Sequence, residues 1–329
     1  MKISPQPYDI IATLGPASAE EEIWRGLIEA GATAFRLNTS HLTLPQLEGW
    51  LARLDPFLAR LDTRFPVVLD LQGSKWRLGA FSAFDLREGQ TITLRRAESA
   101  NEPNVLPVPH ADFFHAAPRS GSTIVLNDAK IRLEVTGVEK EAITARVVQG
   151  GPIAPNKGIT FIGSDFRQEA LSEKDRAIFE RTRTNPRIRF AISYLRDAAE
   201  MARYRALFGP TASLIAKLER RPAVEEAAQI ALSADELWLC RGDLGAELGM
   251  AGMAQATASF SALVPSLTVP CIMAGQVLEH MTIAPTPTRS EVCYLYDTLA
   301  RGYRGFVLSD ETALGQHLVE SCRAAAMFR

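Results

Sequence analysis

Residues 10–37 read IIATLGPASAEEEIWRGLIEAGATAFRL. The stretch opens on an apolar run, Ile10–Leu14, and breaks at Gly15-Pro16-Ala17-Ser18. It continues as an amphipathic segment, Glu20–Ala30, stops at Gly31, and returns to an apolar run, Thr33–Leu37. A change from a continuous apolar run to a 3.6-residue period and back marks a strand, a helix and a second strand. Ser18 and Glu21 have the spacing of a capping box, in which each side chain satisfies a free backbone N–H. Gly31 is expected at C′, where a left-handed residue ends a helix. The acidic start Glu20-Glu21-Glu22 complements the helix dipole.

Working outward, the same unit recurs. Further strands are expected at Val67–Leu71, Phe190–Ser193, Leu214–Lys217, Leu237–Cys240, Cys271–Ala274 and Phe306–Ser309, which makes eight with the first two. Helical patterns fall at Pro45–Leu61, Glu173–Thr182, Asp197–Phe208, Ala223–Leu232 and Ser290–Ala300. Strands that are apolar throughout are buried on both faces, as in parallel sheets covered by helices. Eight such units predict a closed (β/α)8 barrel of the α/β class. Between Lys75 and Gly158 the helical period is lost. Thr91–Arg95, Thr123–Leu126, Lys130–Val138 and Ala142–Val148 read as strands, with turns at Asn127-Asp128-Ala129 and Val138–Glu141. This segment is too long for a structureless connection. It predicts a small all-β domain inserted after strand three. The expected division is residues 1–74 and 159–329 for the barrel and 75–158 for the insert.

Hydrophobic residues make up 47% and charged residues 22%, an ordinary globular balance that fits a large buried core. The net charge of -2 offers no electrostatic attraction for nucleic acid or an anionic membrane. No apolar run approaches the roughly 20 residues of a membrane helix, and MKISPQPYDI lacks the apolar core of a secretory signal. The cysteines at 240, 271, 293 and 322 show no CxxC spacing, and three have apolar surroundings. Free thiols in a reducing cytoplasm are the expected state. His110, His115, His280 and His317 lack metal-ligand spacing, and no P-loop, GxGxxG or GxSxG motif occurs.

Reactive groups of barrel enzymes lie at the C-terminal strand ends. Here those ends carry Arg36 to His41, then Asp70 with Lys75 and Arg77 following, Ser193, Lys217-Leu218-Glu219, Arg241-Gly242-Asp243, and Ser309 to Thr312. Any one charged pair among them also reads as a structural ion pair at the rim. Together they suggest a site. Lys217 and Glu219, two apart on an extended chain, share a face. Glu219 and Asp243, from adjacent strands, offer hard oxygen ligands to a divalent cation such as Mg²⁺. Arg36 and Arg77 suit bidentate phosphate contact, and Gly242 allows close backbone approach to a ligand carboxylate. Cations near a metal match the charge that builds on a transferring phosphoryl group.

Six segments then resemble the motifs of the pyruvate kinase family, in family order: Ile11 to Ser18, Arg36 to His41, Lys217-Leu218-Glu219, Arg241 to Gly245, Pro287-Thr288-Arg289 and Leu308 to Ala313. The β-insert falls where that family has its mobile lid. The resemblance implies a divalent ion, Mg²⁺ or Mn²⁺, on Glu219 and Asp243. It implies that Lys217 stabilises the phosphoryl group and the enolate, with Arg36, Arg77 and Ser309 in the catalytic set. Substrate binding falls to the backbone at Gly242 and Asp243, and to Ser193 and Gly275. Arg36, Arg77, His41 and the lid residue Lys157 would meet the nucleotide, with Asp128 a second lid residue. Asn38, Ser40 and Asp70 would surround a monovalent cation. The implied reaction moves a phosphoryl group from phosphoenolpyruvate to ADP, giving pyruvate and ATP.

The chain also departs from the family pattern. Lys75 stands where the family has Glu, and a tethered ammonium can replace K⁺ among Asn38, Ser40 and Asp70, so K⁺ is not expected to be required. Gly275 stands where the family has the Thr of Ala-Thr-Gln. Cys293-Tyr294-Leu295-Tyr296-Asp297 replaces small and polar residues, so that the two Tyr would fill a core or an interface. Asp310 replaces Gly, and Thr160-Phe161-Ile162-Gly163 replaces Asn-Leu-Pro-Gly. The chain stops at Arg329, short of the family's regulatory domain, so the surface that domain would cover is expected to be either solvated or the contact of a homo-oligomer through the barrel. Two other readings stay open: an Mg²⁺-dependent enzyme that stabilises a pyruvate-type enolate for decarboxylation, aldol or phosphonate-type chemistry, and a non-catalytic binding homologue.

Overall fold

The computed structural model describes residues 7–61, 64–116, 121–127, 130–162 and 171–329. The chain divides into two compact units. One comprises Met1–Gln72, Glu173–Arg241 and Gln255–Arg329; the other comprises Gly73–Ser172 and Gly242–Ala254.

In the first unit eight parallel strands close into a barrel: β1 (Asp9–Leu14), β2 (Ala34–Asn38), β3 (Val67–Leu71), β4 (Ile188–Ile192), β5 (Leu214–Leu218), β6 (Glu236–Cys240), β7 (Cys271–Ala274) and β8 (Gly305–Leu308). Each strand pairs with its sequence neighbours, and β8 returns to β1. All eight lie within two residues of the expected positions. The reason for their continuous apolar character is visible in the packing. Ile11, Ala34, Val68, Ala191, Ile215, Trp238, Cys240, Ile272, Ala274 and Val307, drawn from all eight strands, form one buried cluster that fills the barrel. The alternate residues, such as Ile10, Phe35, Leu69, Phe190 and Leu237, are buried on the other face.

Helices occur at Glu21–Glu29, Leu44–Ala59, Glu173–Thr182, Ala198–Phe208 and Arg289–Ala300, close to expectation. The expected helix Ala223–Leu232 is instead two short ones, Arg221–Glu225 and Ala227–Ile230. The expected capping box at Ser18 is not formed. Pro16 opens a short 3-10 turn, Pro16–Ser18, in which Ser18 Oγ accepts from the Gly15 N–H at 2.9 Å, and the helix starts after Glu20 with no side-chain cap. Gly31 does end that helix, at φ +115°, where a Cβ would meet Ala326 Cβ at 2.9 Å. A helix absent from the expectations, Arg241–Leu263, follows β6 directly, with Gly249 at φ +70° inside it. Among the described residues no helix is long and apolar enough to cross a membrane.

The second unit contains a six-stranded sheet ordered Ile159–Phe161, Thr123–Leu126, Ile131–Val138, Ala142–Gln149, Thr91–Arg96, Val105–Val108, and a pair formed by Phe84–Leu86 and Gly151–Ile153. Trp76, Phe113 and Phe161 centre its core, with Phe113 stacked on Phe161 at 4.6 Å. The hairpin at Val138–Glu141 is present. The expected turn at Asn127 runs into Asp128 and Ala129, outside the described residues.

Candidate active site

The apolar plug of the barrel fixes where the polar residues go. Side chains two positions further along each strand share its inward face. From Ile11, Ala34, Val68, Ala191 and Ile215 that step reaches Thr13, Arg36, Asp70, Ser193 and Lys217, and one more step reaches Glu219. These residues form one bonded layer at the C-terminal end. Arg36 donates to Asp70 Oδ2 through Nε at 2.8 Å and Nη2 at 2.5 Å, and to Thr13 Oγ1 through Nη1 at 2.9 Å. Ser193 Oγ donates to Asp70 Oδ1 at 2.8 Å. Lys217 Nζ bonds Ser193 Oγ at 2.8 Å, lies 3.1 Å from Asp70, and pairs with Glu219 Oε1 at 2.8 Å. The Tyr194 backbone N–H donates to Glu219 Oε2 at 2.6 Å.

Asp70 is 1% exposed, Glu219 2%, Lys217 8% and Arg36 9%, so these charges are held inside the protein. Two cations face two carboxylates, which offsets the cost of burying each. Burial alone would raise the Asp70 carboxyl, but Lys217 and Arg36 outweigh it and hold the group at about 2. Burial opposes the Lys217 ammonium, but Asp70 and Glu219 hold it above the ordinary lysine range. Burial pushes the neighbouring Cys240 thiol well up, so it stays neutral.

Further expected residues occupy the same unit. Asn38 Oδ1 accepts from the Ser40 N–H at 3.2 Å and caps the short turn Thr39–His41; His41 is exposed. The Ser309 N–H donates to Glu311 Oε2 at 2.6 Å. Gly275 follows β7 with φ +86°. Tyr294 packs its ring beneath Arg241, and Tyr296 meets Phe328 at 5.4 Å.

In the second unit Lys75 Nζ pairs with the Asp243 carboxylate. The Lys75 stem lies across Gly158, where a Cβ would fall 2.6 Å from Cε. The Arg77 N–H donates to His110 Nε2 at 3.1 Å, and its Nη1 to the Asn156 carbonyl at 2.8 Å. Lys157 is half-buried and its carbonyl accepts from the Leu78 N–H; Gly242 is exposed. Asp128 lies outside the described residues.

Thr13, Tyr194 and Arg241 belong to this end of the barrel; the sequence motifs include Thr13 and Arg241 without giving them a role, and do not include Tyr194. Thr13 was legible in principle, two residues after Ile11. The Tyr194 contribution is a backbone N–H and carries no side-chain signal.

A family model for the pyruvate kinase barrel domain matches residues 6–322. The chain belongs to the pyruvate kinase family. It is 32% identical over 95% of its length to a pyruvate kinase of Agrobacterium vitis, 30% over 98% to pyruvate kinase 2 of Synechocystis sp., and 27% over 95% to a pyruvate kinase of Thermotoga maritima. It spans 66%, 56% and 68% of those proteins. The expectation drawn from the motifs is thus confirmed for family and fold.

The residues expected to hold a divalent metal, Glu219 and Asp243, belong to different compact units. Glu219 and Asp243 are hard oxygen donors of the kind Mg²⁺ and Mn²⁺ take. Each already holds a positive group, Lys217 on Glu219 and Lys75 on Asp243.

Proposed function

We propose that this chain transfers the phosphoryl group of phosphoenolpyruvate to ADP, with Mg²⁺ or Mn²⁺ and without a K⁺ requirement. The observation that carries the reading is the buried layer of Lys217, Glu219, Asp70 and Arg36. A lysine held above its ordinary range stays charged through neutral pH. Lys217 therefore acts as a fixed positive charge, suited to phosphoryl oxygens and to an enolate oxygen, and not as a base. Arg36 has two of its donors committed to Asp70 and one to Thr13, which sets the plane of its guanidinium before a phosphate arrives. Such preorganisation removes the entropy of ordering the group during the reaction.

Glu219 and Asp243 would hold the metal, which when bound supplies a Lewis acid to the phosphoryl and carboxylate oxygens. Gly242, Ser193 and Gly275 would line the carboxylate end of the substrate, and Arg77, His41 and Lys157 the nucleotide. Lys75 supplies a tethered ammonium in place of a monovalent ion. Gly275 has no hydroxyl, so proton delivery to the enolate falls to solvent.

The test is pyruvate formation from phosphoenolpyruvate and ADP with Mg²⁺, with and without K⁺. Turnover that needs no K⁺ and is lost in Lys217→Ala supports the reading. Absence of turnover, with exchange of deuterium into pyruvate in the absence of nucleotide, would move the reaction to enolate chemistry alone.

A further inference from the structure

The two residues after β7, Gly275 and Gln276, both have positive φ, +86° and +53°. Gln276 has a side chain, so this conformation is disfavoured for it and persists only where neighbours over-determine it. The neighbour is Arg241. Its Nε and Nη2 donate to the Gly275 carbonyl at 3.0 and 2.6 Å, and Nη2 donates to the Gln276 carbonyl at 2.8 Å. One guanidinium thus gathers both carbonyls of the turn. Its face lies 4.5 Å from the ring centroid of Tyr294, on the helix Arg289–Ala300. The Tyr294 hydroxyl is buried and has no hydrogen-bond partner among the described residues. The ring, and not the hydroxyl, is what the fold uses at this position.

We propose that Arg241, Tyr294 and Gly275 form one positioning device: the stacked guanidinium locks the turn after β7 in a left-handed conformation, which Gly275 adopts without strain, and so fixes the substrate-facing backbone. The inference rests on the proposed function, which places Gly275 beside the substrate. It also joins two positions, 275 and 294, that contact the same guanidinium. Thr at 275 would carry a branched Cβ at φ +86°, a strained conformation.

The experiment is a cycle of Gly275→Thr, Tyr294→Leu and the double variant, with Tyr294→Phe as the conservative control. Two readouts apply: hydrogen exchange in the peptide 271–281, and calorimetric binding of oxalate, a planar mimic of the enolate, with Mn²⁺ present. Tyr294→Leu is expected to speed exchange and to weaken oxalate binding by about tenfold, since small displacements of a positioning group are costly. The same variant should raise KM for phosphoenolpyruvate more than it lowers kcat. Tyr294→Phe should match the wild type in every readout, because the hydroxyl makes no bond. Gly275→Thr should weaken oxalate by about tenfold in the parent and by much less beside Tyr294→Leu, since residues that share a backbone shift are non-additive. Wild-type exchange and affinity in Tyr294→Leu, or an equal Gly275→Thr penalty in both backgrounds, overturns the device. A wild-type protein that binds no oxalate and makes no pyruvate overturns the proposed function and the substrate-positioning role with it. In that case non-additive exchange would still establish the clamp as a structural coupling.

Discussion

The two ends of the barrel bury carboxylates in similar surroundings and leave them in opposite states. At the C-terminal end Asp70, two residues beyond Val68 of the apolar plug, is held at about 2. At the N-terminal end Glu236, two residues before Trp238 of the same plug, is pushed up to about 7. Burial raises both groups. Asp70 meets that cost with Arg36 and Lys217, each within 3.1 Å and each buried. Glu236 has the Trp238 indole N–H and Arg189 at 3.7 Å, whose side chain is 36% exposed, while Asp9 and Asp235 add like charge. Committed cations, and not depth, decide whether a buried carboxylate is ionised. One end carries fixed charge and the other a group that titrates near neutrality.

The largest expected effect comes from removing a committed cation. Lys217→Ala leaves Asp70 and Glu219 short of positive charge, and breaking a buried pair costs about 3–5 kcal/mol. Loss of the fixed charge should also lower pyruvate formation by at least about 10³-fold. Lys217→Met, which keeps most of the volume, should show the same two losses. Denaturant unfolding and steady-state rates measure them. A stable, active Lys217→Met protein would show that the C-terminal end does not depend on its cations, and the contrast between the ends would collapse.

Next in size is the response of Glu236 to pH. Its folded value lies above the unfolded one, so between about pH 4.5 and 7 the native state binds the proton more than the unfolded chain does. Stability should therefore fall as pH rises through that window, by at most about 3 kcal/mol at 1.36 kcal/mol per unit. Glu236→Gln should flatten this fall and leave stability below pH 4.5 nearly unchanged. Trp238, bonded to the carboxylate, should change fluorescence across the same window in the wild type only. Parallel pH profiles for the two proteins would remove the titrating end from the comparison.

A third test takes the lysine–carboxylate theme to the second unit, where Lys75 pairs with Asp243. Lys75→Glu installs the residue that the family resemblance implies at this place and removes the tethered ammonium. Turnover should then depend on added K⁺, rising about tenfold in a titration, a step equal to about 1.4 kcal/mol. A variant equally active with and without K⁺ would detach Lys75 from the monovalent-cation role.

The sequence made some of these features plain and hid others, for physical reasons. Strands buried on both faces have no polar alternation to blur them, so all eight are legible in the sequence, and the two-residue step alone puts Lys217 and Glu219 on one face. The helix Arg241–Leu263 was hidden because Gly242, Gly245, Gly249 and Gly252 dilute its apolar period. The short strands Phe84–Leu86 and Val105–Val108 of the second unit show no clear alternation. Glu236 has no signal in the sequence because the apolar run starts at Leu237, although the strand starts one residue earlier. Contacts that use backbone groups, the Tyr194 N–H on Glu219 and the Gly275 and Gln276 carbonyls on Arg241, have no signature in side-chain chemistry.

The smallest effect tests how finely the charged layer is tuned. Thr13 contributes one hydroxyl, which accepts from Arg36 Nη1 at 2.9 Å. Thr13→Val keeps the shape and removes the acceptor, leaving a buried charged donor unsatisfied at a cost of about 1–3 kcal/mol. The other two Arg36 bonds go to Asp70 and remain, so the lower end of that range is expected. Thr13→Ser keeps the hydroxyl and should restore most of the loss. If the acceptor serves to aim the guanidinium, Thr13→Val should also raise KM for phosphoenolpyruvate while Thr13→Ser does not. If it serves stability alone, the melting temperature should fall in Thr13→Val with KM unchanged. The first pattern would make the C-terminal layer a set of aimed charges. The second would leave Asp70 as the sole aiming group of Arg36, and the fixed charge of that end would rest on ion pairs alone.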